Sequence, residues 1–198
     1  MLVAIASEND RYDGVVYERL LSLLLGTKVE RWRTDMRLSG HRAVTGLADP
    51  FLRRAAAAGV DHALFAVDND GGARRGPEHV DEHEVAVQAA DDDGCRTCRL
   101  LDAVPAWWLA DQRHFCAVVP VQTLETWLLW VRGNTFEGEP ESDYYRRGLK
   151  KRFFGKLLPP EDERASMALS ELSSPSAVDR LRMRRSFRLF ERQLVSWS

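Results

Sequence analysis

The chain has 198 residues, of which 44% are hydrophobic and 29% charged, and its formal net charge is −2. These values are typical of a globular α/β domain that buries a core of its own, and no repeat or low-complexity tract argues for a fibrous or disordered chain. No run of 18 apolar residues occurs, the first residues lack a secretory signal, and three cysteines suit a reducing compartment, so we expect a cytoplasmic protein without a membrane span.

The first part of the chain alternates apolar runs with helix patterns. We predict strands over residues 2–6, 27–33 and 62–67, helices over 14–25 and 50–58, and a loop over 34–48. Asp49 is predicted as the N-cap of the second helix, because Asp caps helices well and Pro50 suits the first turn. A short helix is predicted over residues 79–90, between loops at 71–78 and 91–98.

The second part continues the alternation and then becomes helical. We predict a strand over 114–121, a helix over 123–130, a loop over 133–143, a helix over 144–158, and two short helices after Pro159 and Pro160. This order predicts an α/β fold with a four-stranded, mostly parallel sheet flanked by helices, of the Rossmann-like kind. Residues 1–143 would form the α/β core, and residues 144–198 a basic helical extension packed on it.

Carboxylates follow three of the four predicted strands. Glu8 comes just after the first strand, Asp68 and Asp70 end the third, and Glu125 lies in the first turn of the helix after the fourth. Because the carboxyl ends of parallel strands share one edge of the sheet, we expect these side chains to lie together.

Unpaired carboxylates brought together repel each other, and a hard cation such as Mg²⁺, which prefers oxygen ligands, removes that penalty. The pattern therefore predicts a metal site for phosphoryl chemistry. Three alternatives stay open: turn capping by Asp68 and Asp70, complementation of the helix dipole by Glu125, and a solvated loop position or an N-cap for Glu8. For that cap, equally able residues are Asn9, Asp10 and Asp13.

Positive charge concentrates near the end of the chain. Residues 146–198 carry 13 Lys and Arg against 6 Asp and Glu. Within this part, Lys150, Lys151, Arg152 and Lys156 are the predicted phosphate contacts of a nucleic acid. The alternative is that these cations pair with the acidic part of the fold. Cys95 and Cys98 have half of a zinc-site spacing, but free thiols explain that pair better, because no second such pair exists in the sequence.

The Glu after the first strand and the Asp-x-Asp after the third resemble the TOPRIM domain. The segments IASENDRYDGVVYERLL, LFAVDNDGG and VVPVQTLETWLLW are similar to stand-alone TOPRIM-like proteins (DUF4276-like) and to the TOPRIM part of the overcoming-lysogenization-defect (OLD) nucleases. Asn9 departs from the Glu-Gly that is commoner after the first strand.

The resemblance implies that Glu8, Asp68 and Asp70 are the catalytic, metal-binding residues and that the cofactor is Mg²⁺ or Mn²⁺. By its position, Glu125 would be an accessory ligand. It further implies a metal-dependent nuclease that nicks or cleaves DNA or RNA, with a role in anti-phage defence or a mobile element and an ATPase as partner. The alternative is a non-catalytic binding or regulatory module that partners an ATPase. A phosphatase and a homo-oligomer also stay open.

Overall fold

The computed structural model describes residues 1–36, 38, 40–68, 96–120, 123–133 and 143–197. Asp70, Cys95, the predicted helix over 79–90, and the predicted loops at 71–78 and, in large part, 133–143 lie outside the described residues. No helix in the described ranges is both long enough and apolar enough to cross a membrane.

Four parallel strands form the sheet, as the sequence predicts. They are β1 (Leu2–Ser7), β2 (Glu30–Arg31), β3 (His62–Ala66) and β4 (His114–Val118), in the order β2-β1-β3-β4. The prediction of a strand over 27–33 was too long. Lys28 and Glu30 pair with each other at the surface, and the N–H of Val29 bonds the Ser22 hydroxyl instead of a strand.

Ten α-helices flank this sheet in the described residues. They are α1 (Asp13–Leu25), α2 (His41–Gly46), α3 (Ala48–Ala57), α4 (Arg96–Asp102), α5 (Ala106–Ala110), α6 (Leu124–Val131), α7 (Asp143–Phe154), α8 (Glu161–Leu172), α9 (Ala177–Leu181) and α10 (Arg185–Gln193). A 3₁₀ turn over Leu194–Trp197 follows.

In the first part of the chain, two predicted loops contain helical residues, and one predicted N-cap was wrong. The predicted loop over 34–48 contains α2, and α4 begins inside the predicted loop over 91–98. Asp49 is not the N-cap of α3, because the cap position is Leu47 and α3 begins at Ala48. The Asp49 carboxylate instead accepts hydrogen bonds from Arg53 Nε and Trp107 Nε1, both at 2.8 Å.

The C-terminal region has three helices after the double proline, where two were predicted. The last predicted helix is interrupted between α9 and α10, where Arg184 adopts an extended backbone and its guanidinium lies 4.2 Å from the centre of the Trp130 ring. Helix α7 ends at Phe154, before the predicted residue 158, because Gly155 adopts a φ of 97° that stops the helix.

The core lies on both faces of the sheet. Val3 and Ile5 of β1 pack with α1, α6 and the C-terminal helices, while Ala4 and Ala6 face the side that α2 to α5 cover. The chain leaves β1 toward one edge of the sheet and leaves β3 toward the other. The carboxyl ends of β1 and β3 therefore flank a topological switch point, where parallel sheets commonly bind ligands.

Candidate active site

Glu8 and Asp68 lie at the switch point. Ser7, the last residue of β1, pairs with Ala66, the last residue of β3, so that Glu8 and Asp68 follow adjacent strand ends. Both side chains are half-buried. Asp68 Oδ1 accepts a hydrogen bond from the backbone N–H of Leu124 at 3.2 Å, which joins the end of β3 to the first turn of α6.

Glu125 is the most buried carboxylate of the site. Its side chain lies in the first turn of α6, the residue is 1% exposed, and its Oε1 has no hydrogen-bond partner within the described residues. A buried carboxylate oxygen without a donor is unfavourable. The buried hydroxyl of Tyr12 interacts with this carboxylate without completing a hydrogen bond of normal geometry. Burial raises the pKa of Tyr12, and the negative charge of Glu125 raises it further.

Asp13 joins the site although the sequence marks it only as one of several capping candidates. It is the first residue of α1, and its Oδ2 accepts the backbone N–H of Asn9 at 3.0 Å. Burial and then the Glu125 charge raise the pKa of Asp13 to about 8, and Lys150 opposes that rise. Its position after Glu8, at a helix start, is the one sequence signal that could have pointed to it.

Asp68 belongs to the same electrostatic unit. Burial raises its pKa well above the ordinary value, and the charges of Asp13, Glu125 and Glu8 act in the same direction. We call Glu8, Asp13, Asp68 and Glu125 the acidic cluster. Its members come from the ends of β1 and β3 and the first turns of α1 and α6, which the parallel topology brings to one edge.

Lys150 of α7 partly compensates the acidic cluster. Burial lowers the pKa of Lys150, but the charges of Glu125, Asp68 and Asp13 outweigh that effect and raise it overall. One ammonium group beside four carboxyl groups leaves room for further positive charge. The other predicted phosphate contacts, Lys151, Arg152 and Lys156, are exposed on α7 and in the loop that follows it.

Two further side chains border the acidic cluster on the α8 side. The Arg164 guanidinium lies 5.3 Å from the centre of the Tyr12 ring. Glu161 Oε1 accepts a hydrogen bond from Asn9 Nδ2 at 2.9 Å. Helix α8 is thereby attached to the segment between Glu8 and Asp13.

The acidic cluster offers carboxylate oxygens, which are the ligands that a hard divalent cation prefers. Among them, Glu125 Oε1 is buried without a hydrogen-bond partner in the part of the chain that the structure describes. Within the described ranges, however, no three Asp, Glu, His or Cys side chains are grouped closely enough to hold a metal ion between them. Glu8, Asp68 and Glu125 lie together as expected, while Asp70 is outside the described residues.

Comparisons with protein-family models, with curated proteins and with solved structures found no match for this chain. The TOPRIM resemblance therefore stays a prediction.

Proposed function

We propose that the protein is a metal-dependent nuclease of TOPRIM type, which hydrolyses phosphodiesters of nucleic acid with Mg²⁺ or Mn²⁺ at the acidic cluster. The observation that carries the proposal is Glu125. Its Oε1 is buried without a hydrogen-bond donor among the described residues, and its charge acts on Asp68 and Asp13 at the edge of the sheet where parallel folds bind ligands.

A capping role alone does not account for the raised pKa of Asp68. The carboxylate does accept the Leu124 N–H, and a hydrogen bond of this kind by itself lowers the pKa of a carboxyl group. The pKa of Asp68 is nevertheless raised, because burial and the neighbouring carboxylates outweigh that bond. Carboxyl groups whose pKa values are raised by burial and by one another are a recurrent feature of functional centres, and a bound cation relieves their mutual repulsion.

Glu8, Asp68 and Glu125 would hold the metal, with Asp70 as the ligand that the resemblance adds. The bound ion would polarise the phosphoryl oxygen and lower the pKa of an attacking water. The protein's own groups then have separate tasks. The Leu124 and Asn9 amides orient Asp68 and Asp13, Glu8 serves as metal ligand or accepts the proton of the attacking water, and Lys150 contacts a non-bridging phosphate oxygen.

Lys151, Arg152 and Lys156 would extend this contact along the nucleic-acid backbone, because exposed cations neutralise successive phosphates. An ATPase partner and a role in anti-phage defence or a mobile element belong to the same proposal and come from the sequence resemblance. A cytoplasmic location, which the cysteine content favours, belongs to it as well.

The proposal is tested by incubating supercoiled plasmid and single-stranded RNA with purified protein and Mn²⁺. Asp68→Asn keeps an oxygen that can accept the Leu124 N–H, and Glu8→Gln keeps the size of the side chain. We expect the cleavage rate of both variants to be lower than that of the unaltered protein by a factor of about 100 or more. Glu163→Gln, an exposed carboxylate in the first turn of α8, is the matched control and should cleave normally.

Undiminished cleavage by both cluster variants would contradict the proposal. If the unaltered protein cleaves neither substrate but its unfolding midpoint rises with Mn²⁺, the result would favour the non-catalytic binding module.

A further inference from the structure

Two neighbouring leucines stand on the surface between α7 and α8, the two helices that border the acidic cluster. Leu157 is 88% exposed and Leu158 is 54% exposed, in the segment between α7 and α8. We call residues 155–160 the leucine loop. Single exposed apolar residues are ordinary, but an adjacent pair with two prolines behind it presents a continuous apolar tip.

The leucine loop is attached beside the acidic cluster at both of its ends. Before it, the buried Phe154 ring packs edge-on against Tyr12 at a centroid distance of 5.6 Å. After it, Glu161 accepts the hydrogen bond from Asn9 at 2.9 Å. Leu157 is three residues from Phe154 and therefore at most about 11 Å from it along the chain. The apolar tip thus begins and ends at residues that contact the segment between Glu8 and Asp13.

Charge changes sign across the leucine loop. Residues 150–156 contain Lys150, Lys151, Arg152 and Lys156 and no acidic residue, whereas Glu161, Asp162 and Glu163 follow the loop. No carboxylate of the described residues pairs with Lys151 or Lys156. A polyanion would therefore run along the α7 side and end its contact at α8, with the leucines at the boundary.

The side chains of the leucine loop favour duplex nucleic acid over a single strand as the binding partner. Proteins that hold single strands offer aromatic rings on which bases stack, and none of the loop's side chains is aromatic. Proteins that bend duplexes insert an apolar wedge, which is Phe, Leu, Ile, Met or Pro, between base steps and kink them. Pro159 and Pro160 restrict the backbone of the tip, which lowers the entropy lost on insertion.

We propose that Leu157 and Leu158 form a wedge that enters a base step of duplex DNA next to the phosphodiester held at the acidic cluster. The preferred substrate is then a duplex that can be kinked at this step, and the wedge sets the cleavage position. This inference rests on the proposed nuclease function.

The test uses the full chain with Leu157 and Leu158 both replaced by Ser. Leu109→Ser is the matched control, because Leu109 is also 54% exposed but lies on α5. Each protein is mixed with duplexes that carry 2-aminopurine at successive positions, in Ca²⁺ in place of Mn²⁺, and fluorescence reports unstacking. We expect a fluorescence rise at one position with the unaltered protein and with the control, and its loss with the double variant.

Activity assays separate this inference from the proposed function. The double variant should cleave plasmid about 10-fold more slowly than the unaltered protein. It should hydrolyse bis(p-nitrophenyl) phosphate, a diester without base steps, at the same rate as the unaltered protein. If the unaltered protein hydrolyses neither substrate, the nuclease proposal fails, and the 2-aminopurine signal still decides for or against the wedge.

Equal fluorescence and equal plasmid cleavage by the double variant would overturn the wedge. A second result would also overturn it: the double variant has a lower mass than the unaltered protein in light scattering, while the fluorescence of the two is equal. The leucines would then contact a second copy of the chain.

Discussion

The backbone N–H of Leu124 donates to Asp68 Oδ1 across 3.2 Å and thereby fixes the first turn of α6 to the end of β3. Glu125 is the next residue of the chain, and the charge of its carboxylate raises the pKa of both Asp68 and Asp13. The acidic cluster is a consequence of this junction, and its electrostatics lead to the predictions below.

Replacing Glu125 by Gln removes one negative charge from the acidic cluster while keeping the shape of the side chain. We expect the metal-free protein to become more stable by about 1 kcal/mol, which raises the unfolding midpoint by about 2–4 °C, because the charge repulsion falls. The measurement is thermal unfolding in EDTA. Glu171→Gln is the contrasting variant, because it breaks an ion pair with Arg132 at 2.8 Å and should not stabilise the protein. A lower unfolding midpoint for Glu125→Gln would show that the Glu125 carboxylate stabilises the metal-free protein, and it would contradict the prediction.

The pH dependence of stability follows from Asp13. Its pKa is about 8 in the folded protein against an ordinary value of 3.8, so the folded state binds the proton more tightly. This stabilisation is fully present below pH about 4 and is lost as the pH rises through about 8. Asp13→Asn removes this dependence on pH, because Asn does not titrate. The free energy of unfolding of the variant, relative to that of the unaltered protein, should therefore increase with pH by at most about 1.4 kcal/mol per pH unit.

Urea unfolding in EDTA at several pH values between 5 and 8.5 measures that difference. Asp10→Asn, which alters an acidic residue paired with Arg31 at 2.5 Å, serves as control and should give no such trend. A constant difference between Asp13→Asn and the unaltered protein across the range would contradict the assignment.

The sequence predicts the site from topology but misses what depends on local geometry. The apolar runs and the helices between them are enough to place Glu8, Asp68 and Glu125 at one edge of a parallel sheet. Asp13 was missed because its contribution depends on how the first turn of α1 bends back toward Asn9. The break between α9 and α10 was missed because the packing of Arg184 on Trp130, which no local pattern encodes, accompanies it.

Lys150 and a divalent cation compete for the same negative charge. Lys150→Met should therefore increase the rise in unfolding midpoint that Mn²⁺ produces at a fixed concentration, because metal affinity for the acidic cluster increases. Cleavage should fall in the same variant, since the phosphate loses a contact. Lys151→Met, the exposed neighbour, is the control and should leave the Mn²⁺ effect unchanged. An unchanged or smaller Mn²⁺ effect in Lys150→Met would place its ammonium outside the site.

The Gln193 side chain pairs with the backbone of β4 at Ala117. The Gln193 amide accepts the Ala117 N–H through Oε1 at 2.9 Å and donates to the Ala117 carbonyl through Nε2 at 2.8 Å. Gln193→Glu leaves that carbonyl without its donor and should lower the free energy of unfolding by about 1–3 kcal/mol. Urea unfolding at pH 7 measures this loss. A loss no larger than that of the control Arg192→Gln would contradict the role of Gln193.

The most direct test of the account is thermal unfolding with and without Mn²⁺ for the unaltered protein and Asp68→Asn. Because a ligand that binds the folded state stabilises it by mass action, Mn²⁺ at about 100 times its dissociation constant should stabilise the unaltered protein by about 2.7 kcal/mol. The account predicts a raised midpoint for the unaltered protein and little change for Asp68→Asn. If Mn²⁺ and Mg²⁺ leave both midpoints unchanged, the acidic cluster does not bind a divalent cation and the proposed function is wrong.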